Sequence, residues 1–245
     1  MLFRSILISG ATSGIGRACV TEFLGRGFQV IAHGRSHSKL EDLARNCDSP
    51  NLKTVQFDLM NLEEMEAALS HLGPVHILLN NAGIYDRKPW LETNLDDYDY
   101  MMQTNVKSAF FLCKYIIKNM LNHDCEGLIL NNSSTLGTKP APQTSLYSAS
   151  KAALNSLTQS LAMEFAPKIR AIGVLPGVID TPIHSRSMNA DQLAEFYTSM
   201  GAMHPMGRVG NAQELARLFV KLASPDLRWM TGSLITMDGG ISLVT

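Results

Sequence analysis

The feature of this sequence that most limits its fold is a repeated alternation of short apolar runs with helical patterns. The apolar runs cover Ser5–Ser9, Gln29–His33, Thr54–Phe57, Val75–Asn80, Leu128–Asn131, Ile169–Leu175 and Ser233–Met237. Helical patterns follow at Gly14–Leu24, Ser38–Asn46, Asn61–Leu72, about Leu95–Leu121, from Tyr147 onward and from Asn211 onward. Strands that alternate with helices indicate βαβ units, in which a parallel sheet is covered by helices on both faces. The predicted fold is therefore α/β, a doubly wound parallel sheet of about seven strands.

The chain length and the absence of repeats or linker-like stretches favour a single domain over residues 1–245. The 245 residues suffice to bury a large core without a disulfide or metal. We interpret the opening "MLFRSILISG" as the first strand and not as a signal peptide, because its apolar part continues directly into a glycine motif. In parallel sheets of this kind ligands bind beyond the carboxyl ends of the strands, so functional residues are expected just after each apolar run.

Composition and charge argue against several classes of function. The chain is 45% hydrophobic and 18% charged, with a formal net charge of -1, which gives no electrostatic basis for binding nucleic acid or an anionic membrane. No apolar run approaches the length of a membrane span. The cysteines are Cys19, Cys47, Cys113 and Cys125. They form no C-x-x-C pair, which suits free thiols in a reducing, cytoplasmic compartment, and the seven histidines show no metal-ligand spacing.

The glycine-rich stretch "SGATSGIG" follows the first run and opens the first helix. Gly10, Gly14 and Gly16 allow the chain to turn tightly and its backbone to approach a phosphate group closely. The start of the helix presents unpaired N–H groups and a partial positive charge to such an anion. A glycine turn that merely packs helix on strand is the alternative. The position of the loop between a strand and a helix favours a Rossmann-like nucleotide site.

The end of the second strand distinguishes between the two nicotinamide cofactors. An NAD site places an acidic residue about 20 positions beyond the glycines, on the ribose 2′-hydroxyl. Here the stretch "AHGRSHSK" has no acid, Gly34 stands at that place and Arg35 follows it. A guanidinium suits a 2′-phosphate, which it can bind bidentately, and His33 and Arg17 are further basic groups in this region. The pattern favours NADP(H) over NAD(H), the alternative being that Arg35 is a solvated surface charge.

Tyr147 and Lys151 lie four residues apart in a predicted helix and therefore share one of its faces. An isolated tyrosine keeps its proton at neutral pH, and a nearby cation lowers its pKa. The pair is either an inconsequential surface contact or a tuned proton donor. The segment His184–Met206, with four methionines, is either core filling or a mobile lid over an apolar pocket.

Together these motifs resemble those of the short-chain dehydrogenase/reductase family over essentially the whole chain. The matching segments are "SGATSGIG", "NNAG" at residues 80–83, "NNSS" before "YSASK", "PGVIDTP" at residues 176–182 and "TMDGG". The nearest pattern within the family is that of bacterial 3-oxoacyl-acyl-carrier-protein reductases. The resemblance implies a catalytic tetrad of Asn105, Ser134, Tyr147 and Lys151 and no metal. Tyr147 would be the general acid or base, Ser134 would hold the substrate oxygen and Asn105 would anchor a water near Lys151.

The resemblance also implies the cofactor contacts. The pyrophosphate would meet Gly10, Thr12, Ser13, Ile15 and Gly16. Asp58 and Leu59 would meet the adenine, and Asn81 with Ala82 the ribose. Pro176, Gly177, Ile179 and Thr181 would lie along the nicotinamide, with Tyr147 and Lys151 close by. The implied partners are a small carbonyl or alcohol substrate and other copies of the chain in a homotetramer or dimer.

Three functions follow from these observations. The first is an NADP(H)-dependent enzyme that interconverts a carbonyl and a secondary alcohol by hydride transfer. The second is the reduction of 3-oxoacyl groups on acyl carrier protein, although few basic residues lie near the predicted site to receive an acidic carrier. The third, of another class, is a nucleotide-binding regulator without catalysis, since fold alone does not determine function.

Overall fold

A computed structural model describes residues 5–186 and 188–244, so the expectation for Met1 to Arg4 lies outside the described residues. The strands are β1 Ser5–Ile8, β2 Gln29–Gly34, β3 Leu52–Gln56, β4 Ile77–Asn80, β5 Gly127–Asn132, β6 Ile169–Pro176, β7 Ile179–Asp180, β8 Gly210–Asn211 and β9 Leu234–Met237. Seven of them form one sheet in the order β3-β2-β1-β4-β5-β6-β9, and every neighbouring pair is parallel. The predicted α/β fold with about seven parallel strands is confirmed.

The helices cover both faces of this sheet. They are α1 Gly14–Leu24, α2 His37–Cys47, α3 Leu62–Ser70, α4 Leu95–Met102, α5 Ser108–Asn122, α6 Ser145–Phe165, α7 Ala190–Met203, α8 Ala212–Leu222 and α9 Ile241–Val244. Successive residues of β1 serve opposite faces, as the pleat requires. Ile6 packs in a core with Phe23 of α1 and Phe219 of α8, whereas Leu7 packs in a second core with Ile116 of α5. Each such buried side chain contributes roughly 1.5–3 kcal/mol, and the two cores fix the sheet between its helices.

The strand order places a crevice at the carboxyl ends of β1 and β4. The first three strands run outward from β1 on one side, and the chain then crosses to β4 on the other side. Loops that leave β1 and β4 in opposite directions open a gap between them, which is where ligands bind in doubly wound sheets. The loops after β5 and β6 extend the same edge.

The structure differs from the sequence prediction in two helical regions. The single helix predicted from about Leu95 to Leu121 is divided by a π-helical segment at Gln103–Lys107. The methionine-rich stretch contains α7, which was not predicted as a helix although Asn189 and Gln192 form a capping box at its start. Strand β1 ends at Ile8 and not at Ser9, because the chain turns at Gly10, whose φ is +65°. Within residues 5–186 and 188–244, no helix combines the length and apolarity needed to cross a bilayer.

Candidate active site

The loop between β1 and α1 has the geometry of a phosphate-binding turn. Gly10 and Gly14 adopt positive φ values of +65° and +50°, which favour glycine. A Cβ atom on Gly16 would lie 2.2 Å from the Gly10 carbonyl oxygen, so no larger residue fits there. Ser13 precedes α1 and its side chain makes no capping hydrogen bond to the helix. The first N–H groups of α1 are therefore not satisfied by this cap and can receive an anion.

A cavity of about 320 Å³, here called the glycine-loop cavity, lies against this turn. Ten of the predicted cofactor residues line it: Gly10, Thr12, Ser13, Ile15, Arg35, Asp58, Leu59, Asn81, Ala82 and Thr181. Gly16 does not line the cavity and instead packs under the Gly10 carbonyl. Met60, which the sequence did not single out, also lines the cavity, as does His33, which the sequence offered as a further basic group.

The end of β2 closes the outer part of the glycine-loop cavity. Arg35 is exposed there, and its carbonyl oxygen accepts a hydrogen bond from the Gln56 side chain at 3.1 Å. Arg17, which the sequence offered as a second basic group, lies 3.3 Å from Asp42 in an ion pair and does not line the cavity. The guanidinium at this end of the cavity is thus that of Arg35.

His33 is a structural support of the glycine loop and not a charged group. It is 2% exposed, its Nε2 lies 3.0 Å from the Phe57 carbonyl oxygen, and its Nδ1 lies 3.5 Å from the Gly10 N–H. Nδ1 accepts from Gly10, so Nε2 carries the proton of the neutral ring. Burial lowers the pKa of His33 to about 4 against the opposing effects of the Phe57 carbonyl and Asp58.

We expect the buried His33 to make folding stability depend on pH in the mildly acidic range. Between the ordinary pKa of 6.5 and the folded value of about 4, the unfolded chain binds a proton that the folded chain does not. Stability is therefore full above pH 6.5 and falls as the pH decreases toward 4, by on the order of 3 kcal/mol from this group. Urea unfolding of the wild type and of His33→Gln at several pH values measures the difference. Equal pH dependence of the two proteins would contradict this account.

A second cavity of about 810 Å³, here called the tyrosine cavity, adjoins the first. Six further residues from the sequence prediction line it: Ser134, Tyr147, Lys151, Pro176, Gly177 and Ile179. Ile15, Asn81 and Thr181 line both cavities, which makes the two spaces one continuous groove across the carboxyl edge of the sheet. The groove has an arginine and a glycine turn toward one end and a tyrosine and a lysine toward the other.

Tyr147 and Lys151 lie on the inner face of α6, where both are buried. The Lys151 Nζ lies 5.6 Å from the centre of the Tyr147 ring and donates to the Asn132 carbonyl oxygen at 2.9 Å. The Tyr147 hydroxyl is hydrogen-bonded to Ser134, whose Oγ also accepts from the Leu136 N–H at 3.1 Å. The pair is therefore not a surface contact.

Burial changes the acidity of both groups, and for tyrosine the change is opposite to the expected one. The sequence predicted that a nearby cation lowers the pKa of Tyr147. In the structure burial raises the pKa of this phenol above its ordinary value, and the hydrogen bond from Ser134 opposes the rise. Burial also lowers the pKa of Lys151 to about 8. Desolvation outweighs the lysine charge because the ammonium is held toward Asn132 and not at the phenol oxygen.

Asn105 occupies the π-helical segment and lies outside both cavities. Its Oδ1 accepts from the Ile84 N–H at 2.8 Å, and its Nδ2 donates to the Ile84 carbonyl at 2.9 Å and to Ser150 Oγ at 3.0 Å. A Cβ atom on Gly83 would lie 3.2 Å from Asn105 Oδ1 and 3.7 Å from Lys151 Nζ. The segment therefore brings Asn105 beside the lysine and fixes the loop that follows β4, a placement common for π-bulges at functional sites.

A chain of asparagines connects the glycine loop with the catalytic candidates. Asn81 donates from Nδ2 to the carbonyls of Ser9 and Gly10, so its Oδ1 must be an acceptor, and it receives Asn132 Nδ2 at 3.0 Å. The Asn132 carbonyl in turn holds Lys151. Sequence reasoning missed Asn132, whose only signal was its place beside the catalytic candidate Ser134 in "NNSS".

The outer wall of the tyrosine cavity comes from Tyr85 and from the segment after β7. This wall includes Ile183, His184, Phe196, Met200 and Met203, so the methionine-rich segment covers the cavity, a position that the lid prediction requires. Tyr197 anchors α7: its hydroxyl accepts from the Thr181 N–H at 3.1 Å and donates to the Thr181 carbonyl at 2.9 Å. Of the other charges in this region, Arg208 pairs with Glu214 at 2.6 Å.

The described part of the chain contains no group of three or more His, Cys, Asp or Glu side chains that could hold a metal ion. The arrangement instead combines a phosphate-binding turn, a guanidinium and a buried proton donor along one groove. These features fit a dinucleotide carrying a 2′-phosphate, laid with its reactive end at Tyr147.

The chain is similar to known proteins over nearly its full length. A family model described as enoyl-(acyl carrier protein) reductase matches residues 10–242. L-xylulose reductase of Bos taurus is 32% identical over 238 residues, which cover 97% of this chain and 96% of that protein. Carbonyl reductase (NADPH) 2 of Sus scrofa is 32% identical over 235 residues, covering 96% and 94%. A solved structure described as a short chain dehydrogenase/reductase family protein superimposes with a TM-score of 0.88 at 31% identity, covering 100% of both chains.

Proposed function

The chain belongs to the short-chain dehydrogenase/reductase family, and on this premise we propose that Ser134, Tyr147 and Lys151 carry its reaction. The protein is an NADP(H)-dependent oxidoreductase that interconverts a carbonyl group and a secondary alcohol, as its relatives are named reductases and one of them an NADPH enzyme. One observation supports the assignment most: the hydrogen-bonded Tyr147 and Ser134 share a cavity with Lys151, and that cavity is continuous with the glycine-loop cavity.

The residues along the groove fit NADP(H) group by group. Gly10, Thr12, Ser13 and Ile15 would hold the pyrophosphate at the start of α1, where Gly16 lets the turn close beneath it, and Arg35 would hold the 2′-phosphate. Asp58 and Leu59 would contact the adenine, and Asn81 and Ala82 a ribose. Pro176, Gly177, Ile179 and Thr181 would lie beside the nicotinamide, next to Tyr147 and Lys151. When bound, NADPH supplies the hydride that reduces the carbonyl carbon.

In the reducing direction the Tyr147 hydroxyl donates its proton to the substrate oxygen, and in the oxidising direction the phenolate accepts it back. Ser134 hydrogen-bonds the same oxygen and stabilises the negative charge that develops on it. The Lys151 ammonium lowers the cost of the phenolate that remains after proton donation, since the two groups lie in the same buried space. Asn105 sits next to Lys151 across Gly83, where it would anchor a water that returns protons from solvent.

NADPH oxidation with a broad panel of ketones and aldehydes tests this function directly. We expect turnover with at least one carbonyl class and slower or no turnover with NADH. Tight binding of NADPH without turnover of any carbonyl would favour a nucleotide-binding regulator.

Reduction of a 3-oxoacyl group on acyl carrier protein remains the alternative substrate assignment. An acidic carrier protein needs basic residues around the entrance. The described lining of the tyrosine cavity contains two lysines, Lys139 and Lys151, and one arginine, Arg87. Of these, Lys139 already donates a hydrogen bond to the Ser242 carbonyl. A free small-molecule substrate suits this entrance better.

We also propose that the chain forms a homotetramer in which α5 and α6 face a second copy. Phe110 and Leu121 on α5 are 50% and 48% exposed, and Met163 on α6 is 86% exposed, although all three are large apolar side chains. Exposed apolar surface of this kind marks an interface. Light scattering after gel filtration should give a tetramer for the wild type and a smaller species for Phe110→Glu/Met163→Glu. Arg45→Glu, a charge reversal on exposed α2, serves as the control and should stay tetrameric. A monomeric wild type would refute the proposal.

We propose one domain over residues 1–245, because the two cores share a single sheet. We propose a cytoplasmic location, because Cys19, Cys47, Cys113 and Cys125 are all free thiols, as expected in a reducing compartment.

A further inference from the structure

We propose that the substrate is a largely apolar carbonyl compound with a flat aromatic ring within two bonds of the carbonyl carbon, and not an open-chain sugar. The inference rests on the proposed function and concerns the part of the tyrosine cavity that the cofactor residues do not line. It departs from the sugar in the name of the L-xylulose reductases to which the chain is similar.

The cavity beside the Tyr147 hydroxyl is walled by a continuous series of aromatic rings. The Tyr85 ring meets Tyr147 edge to face, with ring centres 4.8 Å apart, and meets His184 in the same way at 4.9 Å. The His184 ring lies 5.0 Å from Phe196. Edge-to-face contacts hold such rings in defined orientations. The series therefore forms a firm apolar surface that reaches from the reacting atoms to the lid, against which a planar substrate ring can pack.

Most hydroxyl and amide side chains of the cavity already bond within the protein. The hydroxyls of Ser133, Thr135, Thr138, Thr144 and Thr181 each donate to a main-chain carbonyl. The two amides at the cofactor end, Asn81 and Asn132, bond to each other, and Asn132 Oδ1 is left without a hydrogen-bond partner among the described residues. Ser134 and Tyr147 are left for the reacting oxygen, the Tyr85 hydroxyl belongs to the aromatic wall, and Ser242 lies at the far rim. The cavity thus offers few hydroxyl-binding points away from the reacting atoms.

The charged side chains among the described residues that line the cavity are the cations Arg87, Lys139 and Lys151, of which Lys139 and Lys151 donate to main-chain carbonyls. None of the described residues that line it is an aspartate or a glutamate, the side chains that pair with vicinal sugar hydroxyls. His184 stands in the middle of the wall, and burial lowers its pKa to about 4, so its ring is neutral at pH 7. Met200, Met203 and Leu136 complete the lining with apolar surface.

An open-chain ketose would lose water from each of its hydroxyl groups on entering this space. Every hydroxyl that is desolvated without a partner weakens binding, whereas a ring of the substrate would gain the burial that the wall provides. The volume of about 810 Å³ includes the space beside the residues proposed to hold the nicotinamide, and the whole is within the range of pockets that enclose a drug-sized molecule. The lining of the remaining part selects an apolar ketone.

The experiment compares β-tetralone, a bicyclic aromatic ketone, with L-xylulose as substrates of the wild-type holoenzyme. We expect kcat/KM for β-tetralone to exceed that for L-xylulose by about 100-fold or more. Phe196→Ala removes one ring of the wall and should reduce kcat/KM for β-tetralone by about 10-fold, with little change for acetone. Leu193→Ala is the matched control, since Leu193 lies on the same helix and lines neither cavity.

A binding measurement separates the substrate inference from the proposed chemistry. Calorimetric titration of β-tetralone and of L-xylulose into Tyr147→Phe saturated with NADPH reports occupancy of the cavity without turnover. Preferential binding of β-tetralone supports the inference even if the wild type reduces neither compound, a result that would overturn the chemistry alone. A preference for L-xylulose in turnover and binding, or equal effects of Phe196→Ala on the turnover of β-tetralone and of acetone, would overturn the inference and leave the reductase function standing.

Discussion

Replacing Tyr147 by phenylalanine is expected to lower kcat for carbonyl reduction by about 1000-fold. The substitution removes only the hydroxyl that is hydrogen-bonded to Ser134, and the ring keeps its edge-to-face contact with Tyr85. The substrate oxygen then has no proton donor while it gains negative charge. Steady-state NADPH oxidation with the best substrate measures the loss, and the Kd for NADPH should change little because the groove is otherwise intact.

Tyr85→Phe is the matched control for this experiment. Tyr85 lies in the same cavity and is similarly buried, but it is not hydrogen-bonded to Ser134 in the way that Tyr147 is. We expect its removal to change kcat by less than about 10-fold. If Tyr147→Phe retained more than a tenth of wild-type turnover, another group would have to be the proton donor.

Replacing Arg35 by alanine is expected to raise the KM for NADPH by about 100-fold, because the substitution removes charge-assisted hydrogen bonds to a phosphate. The KM for NADH should stay nearly constant, because that cofactor has no 2′-phosphate. The ratio of kcat/KM for the two cofactors, measured with one substrate, isolates this effect from changes in the chemistry.

Arg17→Ala is the control for the loss of a nearby positive charge. Arg17 is paired with Asp42 and lies outside the glycine-loop cavity, so its removal should leave the cofactor ratio within a few-fold of wild type. Equal losses with NADPH and NADH in Arg35→Ala would mean that Arg35 supports the fold of the loop and does not bind the 2′-phosphate.

Gly34 adds a steric reason for the choice of cofactor. A Cβ atom at this position would lie 2.7 Å from Thr12 Cγ2 and 3.2 Å from the Leu40 side chain. An acidic residue of the kind that binds the 2′-hydroxyl of NAD does not fit here unless Thr12, itself a residue of the glycine loop, moves. The absence of the acid and the presence of Arg35 are therefore parts of one local arrangement.

The sheet, the glycine turn and the place of Arg35 could be predicted because they follow local rules, whereas the other groove residues were implied by the family resemblance. Apolar runs and glycines report directly on buried strands and on tight turns, and β1 to β6 lie within a few residues of their predicted positions. The parallel sheet then brings Gly10, Arg35, Asn81 and Ser134 to one edge, although they are far apart in sequence. That consequence of topology required no knowledge of side-chain contacts.

The features that escaped prediction depend on contacts made at a distance. The π-helical turn lies where the Asn105 side chain is hydrogen-bonded to the Ile84 backbone. The local sequence "QTNVKSAF" contains no signal that predicts such a turn. The raised pKa of Tyr147 depends on how completely the fold buries the ring and where it turns the Lys151 ammonium. The aromatic wall joins Tyr85 to Phe196 across more than a hundred residues, and only the capping box at Asn189 could have placed its helix in advance.

The hydrogen bonds of Tyr197 connect helix α7, which covers the proposed substrate site, with the segment proposed to contact the coenzyme. The Tyr197 hydroxyl is hydrogen-bonded to both the N–H and the carbonyl of Thr181, and Thr181 is one of the residues that line both cavities. An outward movement of α7 to admit a ketone would have to break these two hydrogen bonds or pull the Thr181 segment with it. We expect coenzyme bound against Thr181 to hold this segment in place, so that the entrance takes its shape only after the dinucleotide has bound. The expected kinetic consequence is a compulsory order in which coenzyme enters first and leaves last.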